Sequence, residues 1–178
     1  MGEASVGEEY LRSVRGRWTA MKRLGEYAID QLSDEDLVWV ANEECNSVAV
    51  IIQHLQGNMI SRWTDTMTTD GDKPGRDRDS EFVLHQPADK ATITAKWEEG
   101  WACLLAAMES FTADDLMRTI KIRGHDLSLL DGINRQLIHV SGHLSQIMQI
   151  AKERLGANWK TASIARGQSG EYKGKPGD

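Results

Sequence analysis

Apolar residues recur every three or four positions in four long stretches of this chain, the spacing that places them on one face of an α-helix. The first stretch covers residues 6–32, the second runs from Asn46 or Ser47 through Thr66, the third spans 88–111 and the fourth 127–155. Three prolines, at 74, 87 and 176, all lie outside these stretches, so none interrupts a predicted helix. The pattern therefore predicts four long helices.

The segments between the long helices carry turn and cap signals. Ser33 and Thr112 each precede acidic residues, which is typical of an N-cap before a short helical turn. Residues 68–79, TTDGDKPGRDRD, predict a loop, and its length favours a functional role. The sequence TIKIRGHD, within 116–126, alternates like a short strand or an extended arm, and 159–178 predict a less regular C-terminal tail.

Length and charge narrow the fold and the function class. At about 150 residues per domain, 178 residues predict a single domain over 1–178, and the helix pattern makes it an all-α four-helix bundle with short extra helical turns. A net charge of −6 argues against a nucleic-acid-binding or membrane-surface protein. No uncharged apolar run reaches the roughly 18 residues of a membrane span, and the acidic N-terminus lacks a secretory signal. We expect a cytoplasmic protein with both cysteines reduced.

Three histidines on two predicted helices carry the most specific chemistry. His139 and His143 lie four residues apart in QLIHVSGHLSQI, so both imidazoles occupy one helical face. Such a pair suits a divalent metal but also occurs without one, and no Glu follows His139 as the metalloprotease motif requires. His54, alone on an apolar helix, has the pattern of a core histidine with one hydrogen bond. A site shared by all three would satisfy each ring and leave coordination positions open, as catalytic zinc sites do.

Two glycines lie beside these histidines. Gly57 follows His54 by three residues, and Gly142 immediately precedes His143. Each costs about 1 kcal/mol relative to alanine inside a helix. We expect them to let two helices approach closely near the histidines; the alternative is that each relieves a clash in ordinary packing.

Extended motifs around the histidines resemble a known family. The stretches QHLQGNMISRWTDTMTTDGDKPGRDRDSEF, INRQLIHVSGHLSQI and NWKTASIARGQS resemble one largely uncharacterised branch of the DinB/YfiT-like superfamily, over about residues 10–172. The resemblance implies a four-helix bundle of up-down-down-up order, commonly dimeric, with a divalent metal bound by His54, His139 and His143. Relatives include enzymes that use low-molecular-weight thiols such as bacillithiol or mycothiol, and others are described as metal-dependent hydrolases. The substrate of this branch is not implied.

These observations together predict a metal-dependent enzyme. We expect zinc, with nickel or another first-row ion as the alternative, because imidazole sites do not select among them by affinity alone. The metal would activate a thiol or water against a small electrophilic substrate, and the resemblance favours thiol transfer over hydrolysis. Because binding needs neutral imidazole, we expect release below about pH 6. The rival is a non-catalytic metal-binding, stress-associated dimer whose site is structural.

Several polar residues are secondary candidates. We expect Asn58 and Arg62, one and two turns after His54, to orient the substrate; Arg62 would hold an anionic group, with a surface ion pair to Asp65 or Asp79 as the alternative. Gln136 and Gln146, three residues either side of the histidine pair, are candidate hydrogen-bonding partners of the ligands or simply solvated.

The remaining candidates lie in loops and in the tail. Residues 76–79 predict a rim or lid, or a solvated loop, and Arg166, Gln168 and Ser169 are candidates to fold over the site. We interpret Cys45 as an inert thiol and Cys103 as buried, and neither His85 nor His125 as a ligand. The six Trp agree with a homodimer, an expectation that rests mainly on the family resemblance.

Overall fold

The computed structural model describes residues 4–84 and 88–171. Over these residues the chain is mostly helical. Its α-helices are α1 (Val6–Gln31), α2 (Asp34–Val38), α3 (Val48–Trp63), α4 (Lys90–Ser110) and α5 (Leu129–Leu155). Short 3-10 turns cover Asp79–Phe82, Ala113–Asp115, Gly156–Asn158 and Ser169–Glu171. The four long predicted helices are confirmed, each ending within about three residues of the position expected from the sequence.

Capping side chains set where the helices begin. Each α-helix is preceded by a side chain that accepts a hydrogen bond from a backbone N–H of the first turn: Ser5, Ser33, Ser47, Asp89 and Ser128. At Ser33 the bond is reciprocal, because the Asp36 side chain accepts from the Ser33 backbone N–H, an arrangement known as a capping box. Thr112 and Asp115 form a second capping box. The predicted caps at Ser33 and Thr112 are therefore confirmed.

The long helices bury their apolar faces against one another. α3 packs on both α4 and α5, and α1 packs on the same two helices. Trp97 and Trp101 of α4 lie 5.4 Å apart between ring centroids, and Trp18 of α1 meets Trp101 edge-on at 6.1 Å. Where α3 crosses α4, a Cβ on Gly100 would lie 2.9 Å from the Cα of Gln56, so glycine permits this close approach.

A short hairpin precedes α5. Strands β1 (Thr119–Ile122) and β2 (His125–Ser128) pair antiparallel, with Thr119 opposite Ser128. Arg123 and Gly124 make the turn, both with positive φ (56° and 74°). The expected strand or extended arm is thus a two-stranded sheet, and the buried Ile120 packs against Gly132 of α5.

The long loop after α3 is held to this hairpin. The Gly71 N–H donates to the Lys121 carbonyl at 2.8 Å. The Asp70 carboxylate accepts from the backbone N–H groups of Arg123 and Gly124, at 2.8 and 2.7 Å. Ser61 of α3 donates to the Gly71 carbonyl at 3.1 Å. These bonds fix the loop and bring the 3-10 turn at Asp79–Phe82 against α3.

Among the described residues, no helix combines the length and the apolar character needed to cross a membrane.

Candidate metal centre

The structure brings together the three histidines that the sequence singles out. His54 lies in the middle of α3, 3% exposed, and His139 and His143 lie on the facing side of α5. One potential ligand atom of each residue lies within 4.8 Å of those of the other two. The Nε2 atoms of His54 and His139 are 3.1 Å apart, and the ring of His143 lies 5.0 Å from that of His54 between centroids. The three side chains could therefore hold one metal ion.

The hydrogen bonds of the rings fit this role. His54 Nδ1 donates to the Glu81 carboxylate at 2.8 Å, so its Nε2 keeps a lone pair. His143 Nδ1 bonds to Gln146 Oε1 at 3.1 Å, which also leaves its Nε2 free. Two nitrogens bound to one tetrahedral zinc ion lie about 3.3 Å apart, close to the 3.1 Å between His54 and His139. His139 Nδ1 is buried without a partner among the described residues, so packing and the contact of its Nε2 with His54 orient that ring.

The surroundings keep two of the rings neutral. Burial, followed by the charges of the other histidines and of Arg62 and Arg76, lowers the pKa of His139 from 6.5 to about 3. Burial also lowers the pKa of His143, although its bond to Gln146 opposes the shift. Neutral imidazole is the form that binds a metal. The chain therefore holds His139 and His143 in the binding form.

Glu81 is a site residue that the sequence analysis did not identify. Besides His54, it binds Arg76 through two hydrogen bonds, from Nε at 2.7 Å and from Nη2 at 2.8 Å. The Arg76 and Glu81 side chains are only 7% and 9% exposed. Burial alone would raise the pKa of Glu81, but the bonds from His54 and Arg76 bring it below its ordinary value. The neighbouring Phe82 stacks on the His54 ring at 4.9 Å, so this turn fixes the ring on two sides.

Arg76 therefore belongs to the wall of the site, which corrects its assignment to an exposed rim or lid. The rest of that predicted segment shapes the loop. The Asp77 carboxylate accepts from the backbone of Asp79 and Ser80, and Arg78 lies over the Phe82 ring at 5.3 Å.

Gly57 makes room for a carboxylate rather than for another helix. A Cβ at this position would lie 2.3 Å from Glu81 Oε1. Gly142 is exposed and has nothing within 4 Å of a built Cβ, so the expectation of a close approach at Gly142 is wrong. Of the two glycines beside the histidines, Gly57 is the one that the site requires.

We expect Gly57→Ala to weaken metal binding without touching a ligand. The added methyl displaces Glu81, which Arg76 and His54 hold in place, so His54 loses its orienting carboxylate. Zinc affinity, measured by chelator competition, should fall about tenfold or more. Gly142→Ala is the matched control, because it gains the helix propensity of about 1 kcal/mol without a clash. Equal zinc affinities in the two variants would contradict this assignment.

Asn58 and Gln136 form a polar contact one turn away from the histidines. Gln136 Nε2 donates to Asn58 Oδ1 at 2.9 Å, and the two residues are 1% and 6% exposed. Gln136 thus binds Asn58, whereas Gln146 is the residue that contacts a histidine. A substrate-orienting role for Asn58 stays a prediction.

Arg62 lies on α3 two turns beyond His54. Its Nε is buried without a hydrogen-bond partner among the described residues. The alternative to anion binding, a surface ion pair with Asp65 or Asp79, is absent from the ion pairs of the same residues.

An apolar groove of about 530 Å³ includes Gln146, the hydrogen-bond partner of His143, in its wall. The segment before α3 forms one wall and α5 the other. Its other lining includes the side chains of Trp39, Val40, Cys45, Ile51 and Ile150. Cys45 is exposed here, and Cys103, predicted to be buried, is half-buried instead.

The other candidates lie away from the three rings or outside the described residues. His125 is exposed on β2, and His85 lies outside the described residues. Arg166, Gln168 and Ser169 are exposed, and the start of the tail is tied to α1, where Lys160 N–H donates to Gln31 Oε1 at 2.9 Å. The described residues therefore do not show the tail folding over the site.

We expect the metal-free protein to lose stability as the pH falls from about 6.5. The pKa of His139 is lowered from 6.5 to about 3, and that of His143 is lowered too. Across this window the unfolded chain binds more protons than the folded chain, so the free energy of unfolding rises with pH. For the same reason, release of a bound ion should begin at a pH below the value near 6 expected for ordinary imidazoles.

Thermal unfolding in the presence of a chelator, at about pH 5 and about pH 7.5, measures this dependence. His139→Asn should narrow the difference between the two melting temperatures, whereas His125→Asn, on the exposed strand, should leave it unchanged. An identical pH response in all three proteins would show that His139 is not the group responsible.

The sequence was compared with known proteins and with the patterns of protein families. No curated protein matches it. The pattern of a family described as "Protein of unknown function (DUF1572)" matches residues 5–168, a range that includes α1, all three histidines, Glu81 and Arg62. Because this match covers most of the sequence, the chain belongs to the DUF1572 family.

Proposed function

We propose that this protein is a metal-dependent enzyme that uses His54, His139 and His143 to bind one divalent ion. The observation that carries the proposal is the convergence of the three rings, with the Nδ1 atoms of His54 and His143 bonded to chain partners, so that their Nε2 atoms are the ones able to bind a metal. Zinc is the ion we propose, because three imidazoles with open positions suit a catalytic zinc site.

We also propose that the chain belongs to a wider superfamily. We propose that α1, α3, α4 and α5 form the four-helix bundle, of up-down-down-up order, of the DinB/YfiT-like superfamily; the contacts of α1 and α3 with both α4 and α5 support the bundle. A homodimer, a cytoplasmic location and the absence of nucleic-acid and membrane partners remain predictions.

Residues of this chain would position the metal ligands and the substrate. When bound, a divalent ion supplies Lewis acidity, which lowers the pKa of a water or a thiol and makes a nucleophile near neutral pH. Glu81, held by Arg76, keeps the proton on His54 Nδ1 and fixes the direction of Nε2. The groove lined by Gln146 accommodates the apolar part of an electrophilic substrate.

Thiol transfer is the reaction we propose, with hydrolysis as its competitor. Neither a Ser-His-Asp order nor a metalloprotease glutamate accompanies the histidines, so the metal site is the strongest activating group that we identify. A cosubstrate thiol such as bacillithiol or mycothiol would then attack the electrophile.

The test uses protein purified without an affinity tag and loaded with zinc. It is incubated with monobromobimane and either bacillithiol, mycothiol, glutathione or cysteine, and with ester and amide substrates in parallel. The proposal is supported if turnover depends on the thiol, is abolished in the His139→Ala variant and is retained in the His125→Ala variant. Turnover without a thiol favours hydrolysis, and no turnover together with a fourth protein ligand on the metal supports a structural site.

A further inference from the structure

Arg62 is a cation without a counterion in the wall of the site. Its Nε is buried and unpartnered, and no carboxylate of the described residues forms an ion pair with its guanidinium. Arg76, the other buried arginine here, is matched by Glu81 through two hydrogen bonds. A charge that is partly buried and left unpaired lowers the stability of the fold, and such groups concentrate at functional sites.

The charges around Arg62 are mainly positive. Arg135, Arg76 and Arg123 all act on it, and together with burial they lower the pKa of Arg62 from 12.5 to about 10. Asp72 is the nearby carboxylate that opposes them, and it is already shared between Arg123 at 3.1 Å and Arg76 at 3.8 Å. Three arginines and one aspartate therefore act on Arg62, and the aspartate is bonded to other arginines.

Arg62 lies on the same helix as His54, one turn beyond Asn58, with its Cδ against Gly71 of the loop. Side chains on a helix lean towards its N-terminus, which for Arg62 is the turn that carries Asn58. α5 runs in the opposite direction, because Asn58 binds Gln136 while His54 meets His139. The positive charges of Arg62 and Arg76 both contribute to the lowered pKa of His139.

We propose that Arg62 is an oxyanion-binding residue, and that the substrate of this site carries a carboxylate or phosphate group that binds there. A guanidinium presents paired N–H donors that match two oxygens of either group. The position of this group beside a metal rests on the proposed function, but anion binding by Arg62 does not. One of the two substrates, the thiol or the electrophile, therefore carries an anionic carboxylate or phosphate group.

The first experiment uses metal-free protein at about pH 8, with sodium phosphate and sodium succinate added separately and sodium chloride as the control at equal ionic strength. We expect phosphate or succinate to raise the melting temperature of the wild type above the chloride value. The same anion should shift the NMR signal of the Arg62 Nε–H. Comparing the two anions shows which oxyanion the site prefers.

The variants separate specific binding from general screening. Arg62→Gln should bind the anion at least about tenfold more weakly, and without added anion it should melt at or above the wild-type temperature, because an unpaired cation has been removed. Arg12→Gln is the control, since Arg12 is 73% exposed on α1 and paired with Glu9; it should respond as the wild type does.

Two results would overturn the inference: no stabilisation of the wild type by either anion, or an unchanged response in Arg62→Gln. A zinc titration of the same samples distinguishes this failure from that of the proposed function. Anion binding without zinc binding would leave Arg62 as an anion site and refute the enzyme proposal, whereas zinc binding without anion binding would refute the inference alone.

Discussion

Zinc binding should fall from one ion per chain to essentially none when His54 is replaced by alanine. The substitution removes the most deeply buried of the three rings. The two histidines that remain both lie on α5, and this pair alone cannot bind zinc tightly. His139→Ala and His143→Ala should have the same effect for the same reason. Elemental analysis of protein purified without an affinity tag measures the metal content directly.

His125→Ala is the control for these variants, because His125 is exposed on β2 and belongs to no ligand cluster of the described residues. It should keep one ion per chain, and so should His85→Ala. Full metal content in all three site variants, or its loss in His125→Ala, would show that the ion binds elsewhere.

Glu81→Gln should both weaken zinc binding and destabilise the protein. Removing the carboxylate leaves His54 without its charged acceptor, which lowers metal affinity about 10- to 100-fold. It also leaves the buried Arg76 guanidinium unpaired, which reduces the free energy of unfolding by about 3–5 kcal/mol. Chelator competition measures the first effect, and urea unfolding of the metal-free protein measures the second.

A double variant, Arg76→Met with Glu81→Gln, separates the two effects. Because the unpaired charge is gone, most of the lost stability should return, but zinc affinity should stay low. If zinc affinity returned with stability, Glu81 would act only through the fold and not through His54. If neither returned, the ion pair would not be the cause of the destabilisation.

The helices and their faces were predictable because their information is local. A period of three to four residues and a capping side chain depend on neighbours in sequence, so the approximate bounds of the long helices and the shared face of His139 and His143 follow from helix geometry. The addition of His54 to this pair is what the family resemblance implied. Sequence and resemblance together thus reached the ligand set.

Glu81 and Arg76 were not predictable in the same way. They lie in a loop without periodicity, and the contact of Glu81 with His54 joins residues 27 positions apart in the sequence. Gly57 carried a signal, since a glycine inside a helix beside a histidine indicates that something fits against it. The sequence could not show that this was a carboxylate, nor that Gly142 faces open space.

The hydrogen bonds between the loop and the hairpin also determine when the site is assembled. Asp70 contacts Arg123, 53 residues later in the chain, and His139 comes later still. Closing so long a segment costs entropy that local helix formation does not, so we expect these contacts to form after the helices. A chain emerging from the ribosome presents His54 well before the other two histidines and before Glu81 is held in place. Metal binding would therefore follow folding, and it would stabilise the folded structure rather than nucleate its formation.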